Sequence, residues 1–370
     1  MPKVRNIPFI DLSLKKTDLD KTISNISNLI KDNNFIGGNE VKNFQENFSK
    51  FNESKYCVGV ANGTDALEIA LESLDIPKNS EVIVPNFTFL SPAEAVVRGG
   101  YKLVLADINL DDFTISIESL KKLATKKTSA LIVVHLFGNP CDMTEIRKIT
   151  DKYDIKIIED CSQAHGAKFK GKIVGNFGDV GTFSFYPTKN LGAFGDSGAI
   201  VTNKKSLYEK VQKIANHGRV ATYDHVLPGR NSRLDSIQAA VLNFKIKNLN
   251  KQNELRIEQA SYLIKAIKSS NIKTPRLTLG QSSVFHQFPI LSRDRKSLMA
   301  FLRKKGINCG IYYPKPLSKM KAFKNIVSSR KVHSENSEIA SNTILSLPIG
   351  PHLNIKDSEY IANAIQSFPK

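Results

Sequence analysis

The chain has 370 residues, 41% hydrophobic and 24% charged, with 53 lysines and arginines against 35 aspartates and glutamates, a formal charge of +18. This length supports two or three domains, or one large domain with an appendage, and the lack of any apolar run of about 20 residues excludes a membrane-spanning helix. Cys57, Cys141, Cys161 and Cys309 form no Cys-x-x-Cys pair, so neither a disulfide framework nor a zinc site is suggested.

The start of the chain, Met1 to Asp11, lacks the apolar core and small-residue cleavage site of a signal peptide, so a cytoplasmic location is expected. Phe35-Ile36-Gly37-Gly38 then precedes a helical pattern with Val41, Phe44, Phe48 and Phe51 on one face, an N-terminal arm packing onto a core. From about residue 55 to 245 short apolar runs alternate with helical periodicity, the pattern of an α/β core with a mainly parallel sheet. The expected strands are Tyr56 to Val60, Glu81 to Val84, Leu103 to Asp107, Ala130 to Leu136, Ile155 to Glu159, Gly181 to Phe185 and Gly198 to Thr202. After Asn231 the pattern becomes a long helix from Asp235 to about Ser269, an apolar run at Val284 to Leu291, a helix near Arg295 to Lys305, a strand at Ile307 to Tyr312 and closing helices. The expected division is an arm and large domain over 1–245 and a smaller α+β domain over 246–370. The basic residues are dispersed, as at Lys121-Lys122, Lys126-Lys127 and Lys304-Lys305, which reads as a solvated surface that attracts polyanions without selecting one.

Several strand ends carry residues able to do chemistry. Asn62-Gly63-Thr64-Asp65-Ala66-Leu67 lies between a strand and a helix, where free amides and the helix dipole favour a phosphate; a turn with an N-cap reads equally well. Pro85-Asn86-Phe87-Thr88-Phe89 offers Phe89 as an aromatic face, or as core packing. Ile155 to Glu159 ends in Asp160, a carboxylate at the sheet's carboxyl edge or a cap for the next helix. Cys161 and His165 lie close by without further metal ligands, so no metal is assigned. Ser184 to Gly192 hangs Lys189 on a loop beyond another strand, as a lysine placed to condense with an aldehyde or as a surface charge. Taken together, these are the partners that pyridoxal 5'-phosphate (PLP) needs for its phosphate, ring, pyridine nitrogen and aldehyde.

Asn62 to Leu67, Glu159-Asp160-Cys161-Ser162-Gln163-Ala164-His165-Gly166, Ser184 to Lys189 with Gly195-Asp196-Ser197-Gly198-Ala199, and Asn231-Ser232-Arg233-Leu234-Asp235-Ser236-Ile237-Gln238-Ala239-Ala240 resemble the motifs of the DegT/DnrJ/EryC1/StrS aminotransferases. The resemblance runs from about Pro8 to Leu353 and implies a fold type I, aspartate aminotransferase-like architecture acting as a homodimer with shared active sites. It implies PLP as cofactor, a keto sugar linked to a nucleoside diphosphate as substrate and L-glutamate as amino donor, with no nucleic-acid or membrane partner. By the same resemblance Lys189 holds the cofactor and shuttles a proton, Asp160 partners the pyridine nitrogen and Phe89 stacks on the ring. Gly63, Thr64 and Ser184 hold the phosphate, Gln163 lies near the phenolic oxygen, and Asn231 reaches the phosphate from the other subunit. Arg233, His217 and Arg219 fall where relatives meet substrate, although an Arg233 pairing with Asp235 or Glu254 is an alternative.

The chain departs from many relatives at Tyr312-Tyr313-Pro314 and Pro316-Leu317-Ser318, where histidines are common, which bears on the sugar and leaves Tyr312 and Tyr313 as candidate pocket residues. The Asn-Ser-Arg-x-Asp form at Asn231 to Asp235 leans toward amination at C3 of a dTDP- or UDP-linked sugar, for lipopolysaccharide, capsule or a related glycan. Two alternatives stand beside this reading. A PLP-dependent sugar dehydratase of the same fold would carry histidine in place of Lys189. A non-catalytic nucleotide- or DNA-binding regulator would draw on the charge, although no helix-turn-helix or basic recognition helix is evident.

Overall fold

A computed structural model describes residues 5–268, 271–326 and 334–369 of the protein. Seven strands form the main sheet: β1 (Tyr56–Val60), β2 (Glu81–Pro85), β3 (Lys102–Ala106), β4 (Thr128–Val134), β5 (Lys156–Asp160), β6 (Val180–Ser184) and β7 (Gly198–Thr202). Their spatial order is β1-β7-β6-β5-β4-β2-β3. Only β7 runs against its neighbours, β1 and β6; the other pairings are parallel. The carboxyl ends of β1, β2, β4, β5 and β6 therefore meet along one edge, where ligands of α/β sheets usually bind.

Strand alternation divides the core between the two faces. Val82, Val84, Ile132 and Val134 pack on one face with the helices Gly63–Ser73 and Ser91–Arg98. Ile83, Leu131, Val133 and Ile157 pack on the other with Ile117–Leu123 and Met143–Lys152. Burial on both faces explains why these strands read in the sequence as continuous apolar runs. The arm helix Gly38–Phe51 inserts Phe44 and Phe48, both fully buried, against Phe183 and Phe185 of and beside β6, as its phenylalanine spacing foretells.

Beyond the main sheet, β8 (Ile272–Lys273), β9 (Phe288–Ser292) and β10 (Ile344–Leu347) make a small antiparallel sheet in the order β8-β9-β10. Ile290, Leu345 and Ile361 share its apolar cluster with Ile7 from the start of the chain. Leu317, Phe323 and Ile344 instead join the cluster of the main sheet.

Several expected boundaries move. The single helix from Asp235 to Ser269 is two, Ser236–Lys245 and Leu249–Ala266, joined by a 3-10 turn at Ile246–Asn248. Residues 269 and 270 lie outside the described residues. Val284 to Leu291 shortens to β9, because Val284 and Phe285 instead turn toward the main sheet, where the Val284 amide donates to Gly138 O. Ile307 to Tyr312 forms no strand; among the described residues it bridges only at Ile307 to Ile7 and at Gly310 to Ser346. Among the described residues no helix is long and apolar enough to cross a membrane.

Candidate active site

A cleft of about 760 Å³ opens along the carboxyl edge of the main sheet and continues to the small sheet. The helix Gly63–Ser73 begins at its floor. Asn62 caps it, its Oδ1 accepting the Asp65 amide at 2.8 Å, while the first turn otherwise presents the unpaired amides of a helix N-terminus. A Cβ on Gly63 would lie 2.6 Å from Ser184 Cβ, so only glycine lets this helix end approach the end of β6. Thr64 Oγ1 and Ser91 Oγ share a hydrogen bond of 2.7 Å, which ties the helix to its neighbour Ser91–Arg98.

Asp160 closes β5 with its side chain buried, and Oδ1 accepts the Ser162 amide at 3.0 Å. Burial raises its pKa, opposed by the Ser162 hydrogen bonds and the nearby Lys189 charge. Behind it sits a fully buried network. The His135 Nδ1 accepts the Cys141 amide, so Nε2 carries the proton and donates to Glu159 Oε2 at 3.1 Å. Glu159 also accepts the amides of Gly175, Phe177 and Gly178, while the Asp160 carbonyl accepts the His135 amide. His135, Glu159 and Cys161 are close enough together to ligate an ion, but these hydrogen bonds already occupy the imidazole and the carboxylate. The neighbour of this trio expected in the sequence, His165, lies elsewhere: it is buried against Phe183 and Phe185.

Lys189 follows β6 on a loop folded back on itself. Its amide donates to Tyr186 O at 2.8 Å, and a Cβ on Gly192 would collide with Pro187 O. The ammonium is near enough to feel the Asp160 charge, yet burial dominates and brings the lysine pKa down from 10.5 to about 8. A buried amine with this pKa is partly neutral near physiological pH, as a nucleophile or proton carrier must be.

Gln163 is held from both ends, its Oε1 accepting the Phe137 amide at 2.7 Å and its Nε2 donating to Tyr313 OH at 3.1 Å. Phe89 lines the cleft with 48% of its surface exposed, 6.0 Å from the Tyr313 ring. Tyr312 lines it as well, stacked on Phe9 at 5.9 Å. The structure thus gathers Gly63, Thr64, Phe89, Asp160, Gln163, Ser184, Lys189, Tyr312 and Tyr313 around one space.

Four expected residues lie outside it. Asn231 and Arg233 line a separate depression of about 380 Å³ with Asp196, Asp235 and Gln238. Arg233 pairs with neither Asp235 nor Glu254 among the described residues, and its Nε is shut away from solvent without a partner. His217 and Arg219 are exposed at the base of the hairpin Arg219–Ala221/Asp224–His225, where Arg219 donates to Ala221 O and Thr222 Oγ1. Sequence reasoning missed three cleft residues: Lys245, Arg256 and His286. His286 had a visible signal, a histidine within the apolar run Val284 to Leu291; the two cations had none.

A helix N-terminus packed too closely for a side chain, a buried carboxylate, an exposed aromatic face and a partly neutral lysine make up the donor set that a phosphate, a pyridinium, an aromatic ring and an aldehyde require. The residues fit PLP.

Known proteins fall in line with this geometry. The model of the DegT/DnrJ/EryC1/StrS aminotransferase family matches residues 17–366. The chain is 37% identical over 368 residues to the dTDP-3-amino-3,6-dideoxy-alpha-D-galactopyranose transaminase of Aneurinibacillus thermoaerophilus, across 98% of this chain and 99% of the relative. It is 36% identical over 367 residues to a protein of Geobacillus stearothermophilus named "Pleiotropic regulatory protein", across 98% of each. The crystal structure of S. venezuelae DesV in complex with ketimine intermediate matches with a TM-score of 0.93 at 34% identity, across 98% of both chains.

Proposed function

Because this chain belongs to the DegT/DnrJ/EryC1/StrS aminotransferase family and is a PLP-dependent transaminase of fold type I, we propose that it aminates a keto sugar carried on a nucleoside diphosphate. The amino donor is L-glutamate, the position is C3 of a dTDP- or UDP-linked sugar, and the product serves cell-surface polysaccharide synthesis. One observation carries the catalytic part: Lys189, with its pKa brought to about 8, shares with buried Asp160 a cleft floored by a helix N-terminus. The relative named as a dTDP-3-amino-3,6-dideoxy-galactose transaminase supports C3.

Bound PLP supplies an aldehyde for amine exchange and a ring that accepts electrons when the donor's Cα proton leaves. The chain supplies the rest. The first turn at Gly63 and Thr64, with Ser184, holds the phosphate through amides, a hydroxyl and the helix dipole. Asp160, oriented by the Ser162 amide, keeps the pyridine nitrogen protonated. Lys189 binds the aldehyde when neutral and, once displaced by the donor, moves a proton away from the donor's Cα. Gln163, fixed between Phe137 and Tyr313, lies beside the ring.

Asn231 is exposed and lies in the smaller depression, so its proposed phosphate contact reaches the cleft of a second copy. The unpartnered Arg233 beside it suits an anionic part of the sugar nucleotide. Arg233→Ala should lower kcat/KM for the keto sugar nucleotide by about 10- to 100-fold while leaving conversion by glutamate unchanged.

A regulatory reading is favoured by one finding, the name of the G. stearothermophilus relative. The deciding experiment is an absorbance spectrum from 300 to 500 nm before and after L-glutamate, followed by keto sugar nucleotides with mass detection of an amino sugar product. Loss of the yellow band with glutamate and its return with a keto sugar is the expected result. A protein that stays colourless after incubation with PLP, yet shifts DNA with sequence preference, would overturn the reading in favour of the regulator.

A further inference from the structure

Among the described residues the Arg256 guanidinium is a cation without an anion. It projects from the helix Leu249–Ala266 into the wall of the Lys189 cleft, where Nη1 donates to the carbonyls of Phe285, His286 and Ile349 at 3.2 to 3.3 Å. Nε and Nη2 make no hydrogen bond among the described residues. Among the described residues no carboxylate compensates for its burial, which brings the pKa down to about 10. The nearby acids are engaged elsewhere: Asp160 with Ser162 and Lys189, Asp11 with the Ser13 amide. A half-buried guanidinium held by neutral carbonyls leaves its planar N–H fork and full charge for a ligand, and a carboxylate is the group that fits both.

Other polar groups of the cleft do not compete for that ligand. His286 donates from Nδ1 to Asn190 Oδ1, because the Asn190 amide nitrogen is committed to Asn253 and Val284 O. Burial and the charges of Lys189 and Arg256 keep its imidazole neutral, which also places it within electrostatic reach of both cations. Lys245 donates to Gly192 O at 2.7 Å and lies over the Phe194 ring. Lys189 is committed to the aldehyde. Among the described residues that line the cleft, Arg256 is the cation that presents a planar pair of unused N–H donors; Lys245 keeps spare donors, but burial brings its pKa down to about 8 and makes it the weaker anion site.

We propose that Arg256 is the carboxylate-binding residue for the amino donor, holding the α-carboxylate of an amino acid while its amine meets the Lys189 site. The proposal rests on the transaminase reading and is independent of the sugar. A chain alternating between an amino acid and a sugar nucleotide then separates them by charge: the amino acid is anchored at Arg256 on the small-sheet side, and the diphosphate is left to basic groups elsewhere.

The test uses the PLP-loaded enzyme in single-turnover experiments. Arg256→Gln should raise the L-glutamate concentration needed for half-maximal loss of the yellow band on the order of 10²-fold. It should leave the second half-reaction, pyridoxamine form plus keto sugar, within about threefold of wild type. Calorimetric binding of glutarate, a dicarboxylate with no amine to react, should weaken in parallel. Arg256→Lys, which keeps the charge and can still reach the carbonyls, should lose about tenfold toward glutamate, and it carries the test if the glutamine variant fails to fold. Equal losses in both half-reactions, a loss confined to the sugar half, or a loss that follows Lys245→Met instead would each overturn the proposal. Should no keto sugar react with wild type while glutamate still bleaches it, the substrate reading fails, and the glutarate and glutamate measurements still decide this one.

Discussion

The cleft and the smaller depression share Asn62 and Asp196 in their walls but are built on opposite terms. In the cleft, Asp160, Gln163 and Thr64 are fixed by partners from the same chain, and Gly63 approaches Ser184 too closely for any side chain. In the depression Asn231 and Asp235 are exposed, and Arg233 has a buried nitrogen with no partner among the described residues. The first is organised before any ligand arrives and the second has donors to spare. Preorganised groups serve chemistry, because they need no rearrangement as charge develops; unsatisfied groups serve recognition, because a ligand supplies what they lack.

Substitutions should therefore divide sharply between the two. Lys189→Ala should cost on the order of 10⁴-fold in turnover by removing the proton carrier, measured as single-turnover bleaching with glutamate, and tenfold or less would place the chemistry elsewhere. Asp160→Asn should cost about 10²- to 10³-fold through loss of the charge that holds the ring nitrogen protonated. Its cofactor-free melting temperature should hold or rise, because a buried carboxyl with a raised pKa is a burden on the fold. A lower melting temperature would instead make Asp160 a structural partner of Lys189.

Gly63→Ala offers a smaller effect with a clean geometric origin. The new Cβ must push against Ser184 Cβ, at a cost of about 1–3 kcal/mol, so PLP should dissociate about tenfold more readily, seen by gel filtration followed by absorbance. Combining it with Ser184→Gly should recover part of the loss, and no recovery would disprove the contact as its cause.

The gentlest probe is pH. Lys189 has its pKa lowered to about 8, so below that value the buried amine is protonated and cannot attack an aldehyde, and above it the amine is free. Uptake of PLP by cofactor-free protein should rise about tenfold between pH 7 and 9 and then level off. A rate still climbing steeply above pH 9 would indicate an unshifted lysine. Burial also makes stability rise with pH: the unfolded lysine keeps its proton up to about 10.5, so the folded state is relieved of its cost between about pH 8 and 10.5.

The sequence made the cleft's chemistry legible because each group sits within a few residues of the strand that carries it. Asp160 ends β5, Lys189 lies five residues past β6, and Gly63 three past β1. Apolar runs marked those strands because both faces are buried. What escaped depends on distant partners. Arg256 is defined by carbonyls at 285, 286 and 349, and no local pattern reveals a carbonyl acceptor. Ile307 to Tyr312 has the β-rich composition of a strand, yet among the described residues it pairs only at Ile7 and Ser346 and stays irregular between them. The long helix kept its apolar period across Ile246–Asn248, so periodicity could not show the 3-10 break.

That break sets a phase relation. Upstream of it Gln238 accepts the Phe194 amide and Lys245 reaches Gly192 O, both on the lysine loop; downstream Asn253 holds Asn190 and His165 O, and Arg256 reaches Ile349 O just past β10. One continuous stretch thus sets the angular timing of two sets of contacts, as a shaft does for the cams along it. Inserting a single residue at 246–248 would turn everything downstream by about 100° relative to Lys245. Both helices could survive such a change, yet Asn253 would leave Asn190 and His165 O and Arg256 would face away from the cleft, and the length of three residues would stand out as a working dimension of the enzyme.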